Sequence, residues 1–221
     1  VRWKPLGFKI EGDTVNSYGF ERPISTQQTA FAFVSQSRNF LPDEIGGVFW
    51  YGVDDNYTTV YIPLYCSLLE APPSFTGYSI SEFSMNSGFW VFNLVANLAY
   101  TKYSYMIKDI QQVQSELEEK FYAFQPAIEA GAKAMYEKDK SAVAKYLTEY
   151  SVNQAEISVE RWRKLWEYLV MKYNDGYIND VTKDNGRHPK GVGYGNEFLK
   201  QFVKERPGYY DVKWKKKSKK K

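Results

Sequence analysis

Leu41–Tyr65, LPDEIGGVFWYGVDDNYTTVYIPLY, joins two β-rich runs through a cluster of turn-forming residues. Gly47–Val53 (GVFWYGV) and Thr58–Leu64 (TTVYIPL) are dense in β-branched and aromatic side chains, which fit a pleated, half-buried surface. Asp54, Asp55 and Asn56 lie between them. Asp and Asn tolerate left-handed backbone and bond their own main chain, so this cluster is turn chemistry and the two runs predict a hairpin. Pro63 has no N–H to give a ladder, which places it at the edge or end of the second strand. Upstream, Phe31–Val34 (FAFV) predicts a further strand, and downstream Ala71–Gly77 (APPSFTG) predicts a loop.

The character changes after about Ser81. Ser84 or Asn86 is a candidate cap for a helix whose apolar positions Phe89, Phe92, Val95 and Ala99 follow helical spacing. Phe89–Ile107 is apolar and about long enough to span a bilayer. Asn93, Asn97 and Lys102 interrupt it, with Asn93, Asn97 and Thr101 at four-residue spacing, so it predicts a buried core helix with one hydrogen-bonding face and no transmembrane segment. A second helix is expected over 109–124, broken or restarted at Pro126. A short helix follows Asp139 to about Tyr150, and a strong one covers 156–173 with Trp162, Leu165, Trp166, Leu169 and Tyr173 on one side. Asn174-Asp175-Gly176 ends it, glycine supplying the cap. The remainder is loop-rich, with a short helical piece near 196–204. Strands first and helices afterwards is the α+β order. The expected division is a strand-rich part over 1–81, a helical part with C-terminal loops over 82–210, and a Lys-rich disordered tail over 211–221.

Composition is that of a globular chain: 221 residues, 43% hydrophobic and 25% charged, with an aromatic share of 18% that suits wet clefts as well as cores. The net charge of +3 is set by the C-terminus, where seven of the last nine residues are lysine. Removing those seven from the 29 basic residues leaves 22 against 26 acidic ones, so the body is mildly acidic. The tail reads as a solvated, self-repelling end, or as an electrostatic handle for phosphates or anionic lipid. No basic patch interleaved with stacking aromatics occurs in the body, which argues against a nucleic acid partner. One cysteine, Cys66, rules out a disulfide within the chain. The opening decapeptide VRWKPLGFKI lacks the apolar run of a signal peptide.

No complete catalytic set emerges from these residues. His188 is the single histidine and sits in NGRHPKG, which predicts a surface loop rather than a rigidly held base. Cys66 has no histidine nearby to supply thiolate, and structural burial is expected. One His and one Cys do not make a zinc site, and Asp54-Asp55 reads as a turn before it reads as a cation ligand. GVGYG at Gly191–Gly195 lacks the spacing of a phosphate cradle, and Glu116, Glu118 and Glu119 predict a solvated helix face. No cofactor is expected.

Five pieces carry a resemblance: SYGFERPIS (Ser17–Ser25), QSRNFLPDEIGGVFWYGVDD (Gln36–Asp55), TTVYIPLYC (Thr58–Cys66), FSMNSGFWVFNLVANLAY (Phe83–Tyr100) and KYNDGYI (Lys172–Ile178). Together they resemble the C-terminal portion of the dipeptidase A-type cysteine peptidases, which are N-terminal-nucleophile (Ntn) hydrolases. The resemblance implies an αββα sandwich, to which this chain would bring late strands and a helical layer. It also implies an N-terminal cysteine whose own α-amine, with a pKa of about 8, accepts the thiol proton. Arg22 in ERPIS and Arg38 in SQSRNF match the position of an active-site arginine after a late strand, and Asn56 and Asn86 could line the cleft. Val1 has no nucleophilic side chain. The expectation is therefore part of a dipeptidase acting on small peptides. Its partner is the missing N-terminal part of the same enzyme, covalent or as a separate chain, and a homo-oligomer is possible. The alternative is a non-catalytic structural or peptide-binding module.

Overall fold

The computed structural model describes residues 7–8, 11–12, 14–15, 18–19, 24–182, 189–191, 193 and 195–211. Arg22, His188 and the lysines of the tail lie outside them. The chain has mixed α and β structure and divides into two units, Val1–Val170 and Met171–Lys221.

In the first unit, strands β1 (Gly7–Phe8) and β2 (Tyr18–Gly19) form a short antiparallel pair. The principal sheet is antiparallel, in the order β3 (Phe31–Ser37), β4 (Gly47–Val53), β5 (Ile62–Tyr65). The expected hairpin is β4–β5, with Val48 opposite Tyr65 and Tyr51 opposite Ile62. Pro63 sits on the outer strand, as its missing N–H requires. Asp54 takes φ 65°, the left-handed conformation expected of the turn. The second strand is shorter than the expected Thr58–Leu64, because Asp54–Tyr61 bridges it. Within that bridge Thr58 N donates to Asp55 O (3.1 Å), and Thr58, Thr59 and Val60 are buried. Conversely, β3 runs past Val34 to Ser37, paired residue for residue as far as Gly47.

Between β3 and β4 lies the single turn α1 (Asp43–Gly46). The Gly46-Gly47 pair is steric: a Cβ on Gly46 would lie 2.7 Å from Arg38 O, and one on Gly47 would lie 2.9 Å from Cys66 Sγ. Cys66 itself is exposed, contrary to the expected burial; it is the first residue beyond the edge strand β5.

Helix α2 (Gly88–Ala99) buries Val91, Phe92, Val95, Ala96 and Ala99. Its N-cap is Ser87, not Ser84 or Asn86, and no side chain bonds there. The polar stripe behaves as read: Asn97 Nδ2 donates to Asn93 O (2.9 Å), and Asn93 Nδ2 donates to Asp54 Oδ1 (3.0 Å). The helix does not continue to Ile107. Thr101 Oγ1 and Lys102 N bond back to Leu98 O and Ala99 O, and Lys102 leaves helical geometry (φ −146°, ψ 53°) before α3 begins.

Helix α3 (Tyr103–Tyr136) carries Pro126 inside it, so the proline neither breaks nor restarts the helix. Removing one N–H costs one rung, while burial of Met106, Ile110, Val113, Leu117, Phe121 and Ala132 fixes both sides. Helix α4 (Lys140–Tyr173) is likewise one element where two were expected. Asp139 Oδ1 caps its start by accepting from Ser141 N (2.9 Å). Its middle, which reads as a polar gap, makes tertiary bonds instead. Ser151 Oγ accepts from Tyr65 N (3.1 Å) and Thr148 Oγ1 from Leu69 N (2.9 Å). Trp162, Leu165 and Leu169 are buried as expected, with the Trp162 ring stacked on Phe92 at 4.8 Å. Glu118 departs from the expected solvated face: it turns inward and accepts from Tyr61 N (3.0 Å), whereas Glu116 stays outside with Lys120 and Arg161.

The second unit opens with the last residues of α4. Asp175 (φ 51°) and Gly176 (φ 77°) are both left-handed, which is the stop expected there. Strands β6 (Tyr177–Asn179) and β7 (Pro189–Gly191) pair antiparallel, and α5 (Asn196–Glu205) follows. Buried Asn179 closes the α4 terminus, its Nδ2 donating to Met171 O, Lys172 O and Asn174 Oδ1 at 3.1, 3.2 and 2.9 Å. Asn179→Ala is expected to cost about 1–2 kcal/mol by orphaning helix-end carbonyls, read as earlier fraying of this region in amide hydrogen exchange.

Candidate functional site

Alternation along β3 puts Val34, Gln36 and Arg38 on one side of the strand path, facing α3. Trp50 on β4 shares that face, its ring 5.1 Å from that of Tyr122. Between them opens a groove of about 560 Å³, lined by Val34, Gln36, Trp50, Tyr61, Tyr122 and Gln125, among others. A mixed lining of aromatic faces and amide ends suits a ligand that carries both apolar and hydrogen-bonding groups.

A hydrogen-bonded chain fixes the groove's polar wall. Trp50 Nε1 (3.2 Å) and Gln125 Nε2 (3.3 Å) both donate to Gln36 Oε1. Gln125 Nε2 also reaches Glu129 Oε1 (2.9 Å), one helical turn further on. That same oxygen accepts from the hydroxyl of Tyr65 (3.1 Å) and from Arg38 Nη1. Arg38 completes its hold with Nη2 on Ile45 O (3.1 Å) and Nε on Gly46 O (3.3 Å). One guanidinium thus ties β3, α1 and α3 together at the end of the groove.

Burial raises the phenols of Tyr61, Tyr65 and Tyr122 above the ordinary tyrosine value, with Glu118 adding to the shift at Tyr61 and Tyr122 and Glu129 at Tyr65. They remain O–H donors at physiological pH. Burial also raises the Glu118 carboxyl, partly opposed by the bond from Tyr61 N.

A second polar cluster surrounds the β4–β5 connection. Asp54 and Asp55 are both buried. Asp55 accepts from Tyr57 N (3.1 Å), from Tyr100 Oη (2.5 Å) and from Ser25 Oγ. Burial pushes the Asp54 carboxyl up to about 6, against the lowering effect of its bond from Asn93. Asn56 belongs to this cluster, and Asn86 lines a separate cavity of about 270 Å³ with Ser74, Glu156 and Arg163, so neither borders the groove.

Of the two arginine candidates, Arg38 therefore stands at the groove's end, and Arg22 lies outside the described residues. Gln36, Trp50, Tyr61, Tyr122, Gln125 and Glu129 were not anticipated. The alternation Val34–Gln36–Arg38 was the available signal; nothing local marked the α3 residues.

Comparison with known sequences adds two findings. The sequence model of Peptidase family C69 matches residues 3–116. The chain is also similar to Dipeptidase A of Lactobacillus helveticus, 29% identical over 119 residues, which is 54% of this chain and 23% of that protein. The match thus spans about a quarter of the curated relative's length.

Proposed function

The chain belongs to peptidase family C69, and on that premise we propose that it is part of a cysteine dipeptidase that hydrolyses small peptides. The nucleophile in this reading is an N-terminal cysteine on polypeptide outside Val1–Lys221, attacking the peptide carbonyl while its α-amine accepts the thiol proton. The family match carries the chemistry.

Strand β3, an edge of the sheet among the described residues, supports the claim that the chain is a part. Phe31 (52%), Phe33 (52%) and Val34 (57%) are exposed although they point to both faces, whereas Val48, Trp50, Ile62 and Tyr65 in the neighbouring strands are buried. Phe33 and Phe49 stack at 4.6 Å, and Phe49 and Tyr51 at 5.9 Å, so one face of the sheet presents an aromatic ladder. A strand left this way is a template for further pairing. In the proposed sandwich, residues 1–81 join the sheets and 82–210 form the helical layer. Arg38, held by Glu129, is the arginine proposed for the site, and the groove beside it receives the peptide.

The test combines the intact mass and N-terminal sequence of the native gene product with dipeptide hydrolysis. The 221-residue chain is expected to be inactive alone. The gene product with its N-terminal cysteine is expected to be active, and Cys→Ala at that terminus to lower kcat by about a thousandfold or more. Hydrolysis by the 221-residue chain that disappears in Cys66→Ala would overturn the reading. A native product without any N-terminal cysteine, inactive on dipeptides, would favour a peptide-binding module.

A further inference from the structure

We propose that the C-terminal segment, helix α5 with the lysine block after it, is a docking element for the surface of anionic lipid bilayers. Phe198, Leu199, Phe202 and Val203 recur at positions i, i+1, i+4 and i+5 of α5 and form one apolar stripe. Every residue of this helix is exposed; these four are 49%, 44%, 39% and 47% accessible. The stripe is extended by rings: Phe198 stacks on Phe202 at 5.8 Å and Phe202 on Tyr210 at 4.6 Å. Elsewhere around the helix Lys200 pairs with Glu197 (2.7 Å) and Gln201 with Glu205 (3.2 Å).

Charge decides the occupant. From Asn196 to Lys221 the sequence holds ten basic residues against three acidic ones, seven of the ten being lysines in the last nine positions, with Trp214 among them. An apolar stripe alone fits any greasy groove, and a lysine block alone fits any polyanion. A bilayer with anionic headgroups offers both an acyl boundary for Phe and Leu and a negative surface for lysine, and stable peripheral binding takes two such signals. A nucleic acid would leave the stripe without a partner. This inference concerns where the protein acts and does not depend on its catalytic chemistry.

The experiment is sedimentation of the 221-residue chain with large unilamellar vesicles. Vesicles of phosphatidylcholine with about 30 mol% phosphatidylserine are expected to bind it at least about tenfold more tightly than phosphatidylcholine alone, and about 0.5 M NaCl should weaken that binding strongly. The paired change Phe198→Ser and Phe202→Ser, and separately the triple change Lys215→Gln, Lys216→Gln and Lys217→Gln, should each weaken binding about tenfold. Far-UV circular dichroism checks that each variant is folded, and Phe202→Ser alone is the milder substitute if the pair is not. No preference for phosphatidylserine overturns the proposal, as does binding untouched by the phenylalanine changes. Transfer RNA that displaces the vesicles and binds equally well to the phenylalanine variants would make the segment a polyanion site instead, which also overturns it.

Discussion

Glu129→Ala lowers the stability of the chain by about 3–5 kcal/mol, the range for breaking a buried ion pair by removing one partner. The side chains of Arg38 and Glu129 are only 11% and 14% exposed, so water does little to screen the pair or to replace it. The carboxylate accepts from Arg38, from Tyr65 and from Gln125, and its loss takes an acceptor from all three at once. The Arg38 guanidinium would remain largely buried, with the carbonyls of Ile45 and Gly46 as its acceptors among the described residues. Urea unfolding at neutral pH reads the effect as a fall in midpoint at unchanged slope. Glu129→Gln, which keeps an acceptor but no charge, should fall between the two. The pairing itself is isolated by a double-mutant cycle. If Arg38→Leu in the Glu129→Ala background restores much of the lost stability, the cost was an uncompensated charge. If the two losses simply add, Arg38 and Glu129 act independently, and the account of the groove's end fails.

That pair also shows where sequence reading stops. The β4–β5 hairpin was legible because its evidence is local: aromatic and β-branched runs flank Asp54-Asp55-Asn56, and Asp54 does take the left-handed conformation. Residues Ser35–Ser37 have little strand propensity, yet they pair, since register with Val48 and Phe49 continues past Val34. The long helices were cut in sequence at Pro126 and between 150 and 156, where propensity falls. Tertiary contacts override it there: Ser151 and Thr148 serve the main chain of Tyr65 and Leu69, across 86 and 79 residues. Family likeness offered Arg22 and Arg38 as candidates, and Arg38 is the one that falls within the described residues. Nothing in sequence could name Glu129 as its partner, because 91 positions separate them and a glutamate on a helix reads by default as solvated. The groove was hidden for the same reason, since Tyr122 and Gln125, which face Val34, Gln36 and Trp50 across it, are carried by α3.

Asp54 yields the second large effect, and its sign runs against the usual carboxylate. Burial raises its folded-state pKa to about 6 from an ordinary 3.8, so between these values the folded chain binds more protons than the unfolded one. Stability therefore falls as pH rises through that window, and above it the full penalty applies, about 3 kcal/mol. The bonds from Asn93 and from the Asp55 main chain offset only part of the cost, the second carboxylate oxygen is buried without a hydrogen-bond partner among the described residues, and neighbouring Asp55 adds repulsion. Asp54→Asn imitates the neutral acid and keeps an oxygen for Asn93. The variant is expected to exceed the parent in stability by up to about 3 kcal/mol at pH 7.5, the difference shrinking toward zero near pH 4. Urea midpoints across that range measure it directly. Parallel pH profiles for parent and variant would mean that Asp54 is ionised at no net cost, through a cation or a charge outside the described residues. A variant less stable than the parent at every pH would mean that the left-handed turn needs the carboxylate itself. The expected convergence of the two profiles at low pH instead makes this loop a place where stability is given up, since a neutral side chain of the same size would serve the β4–β5 connection better on stability alone.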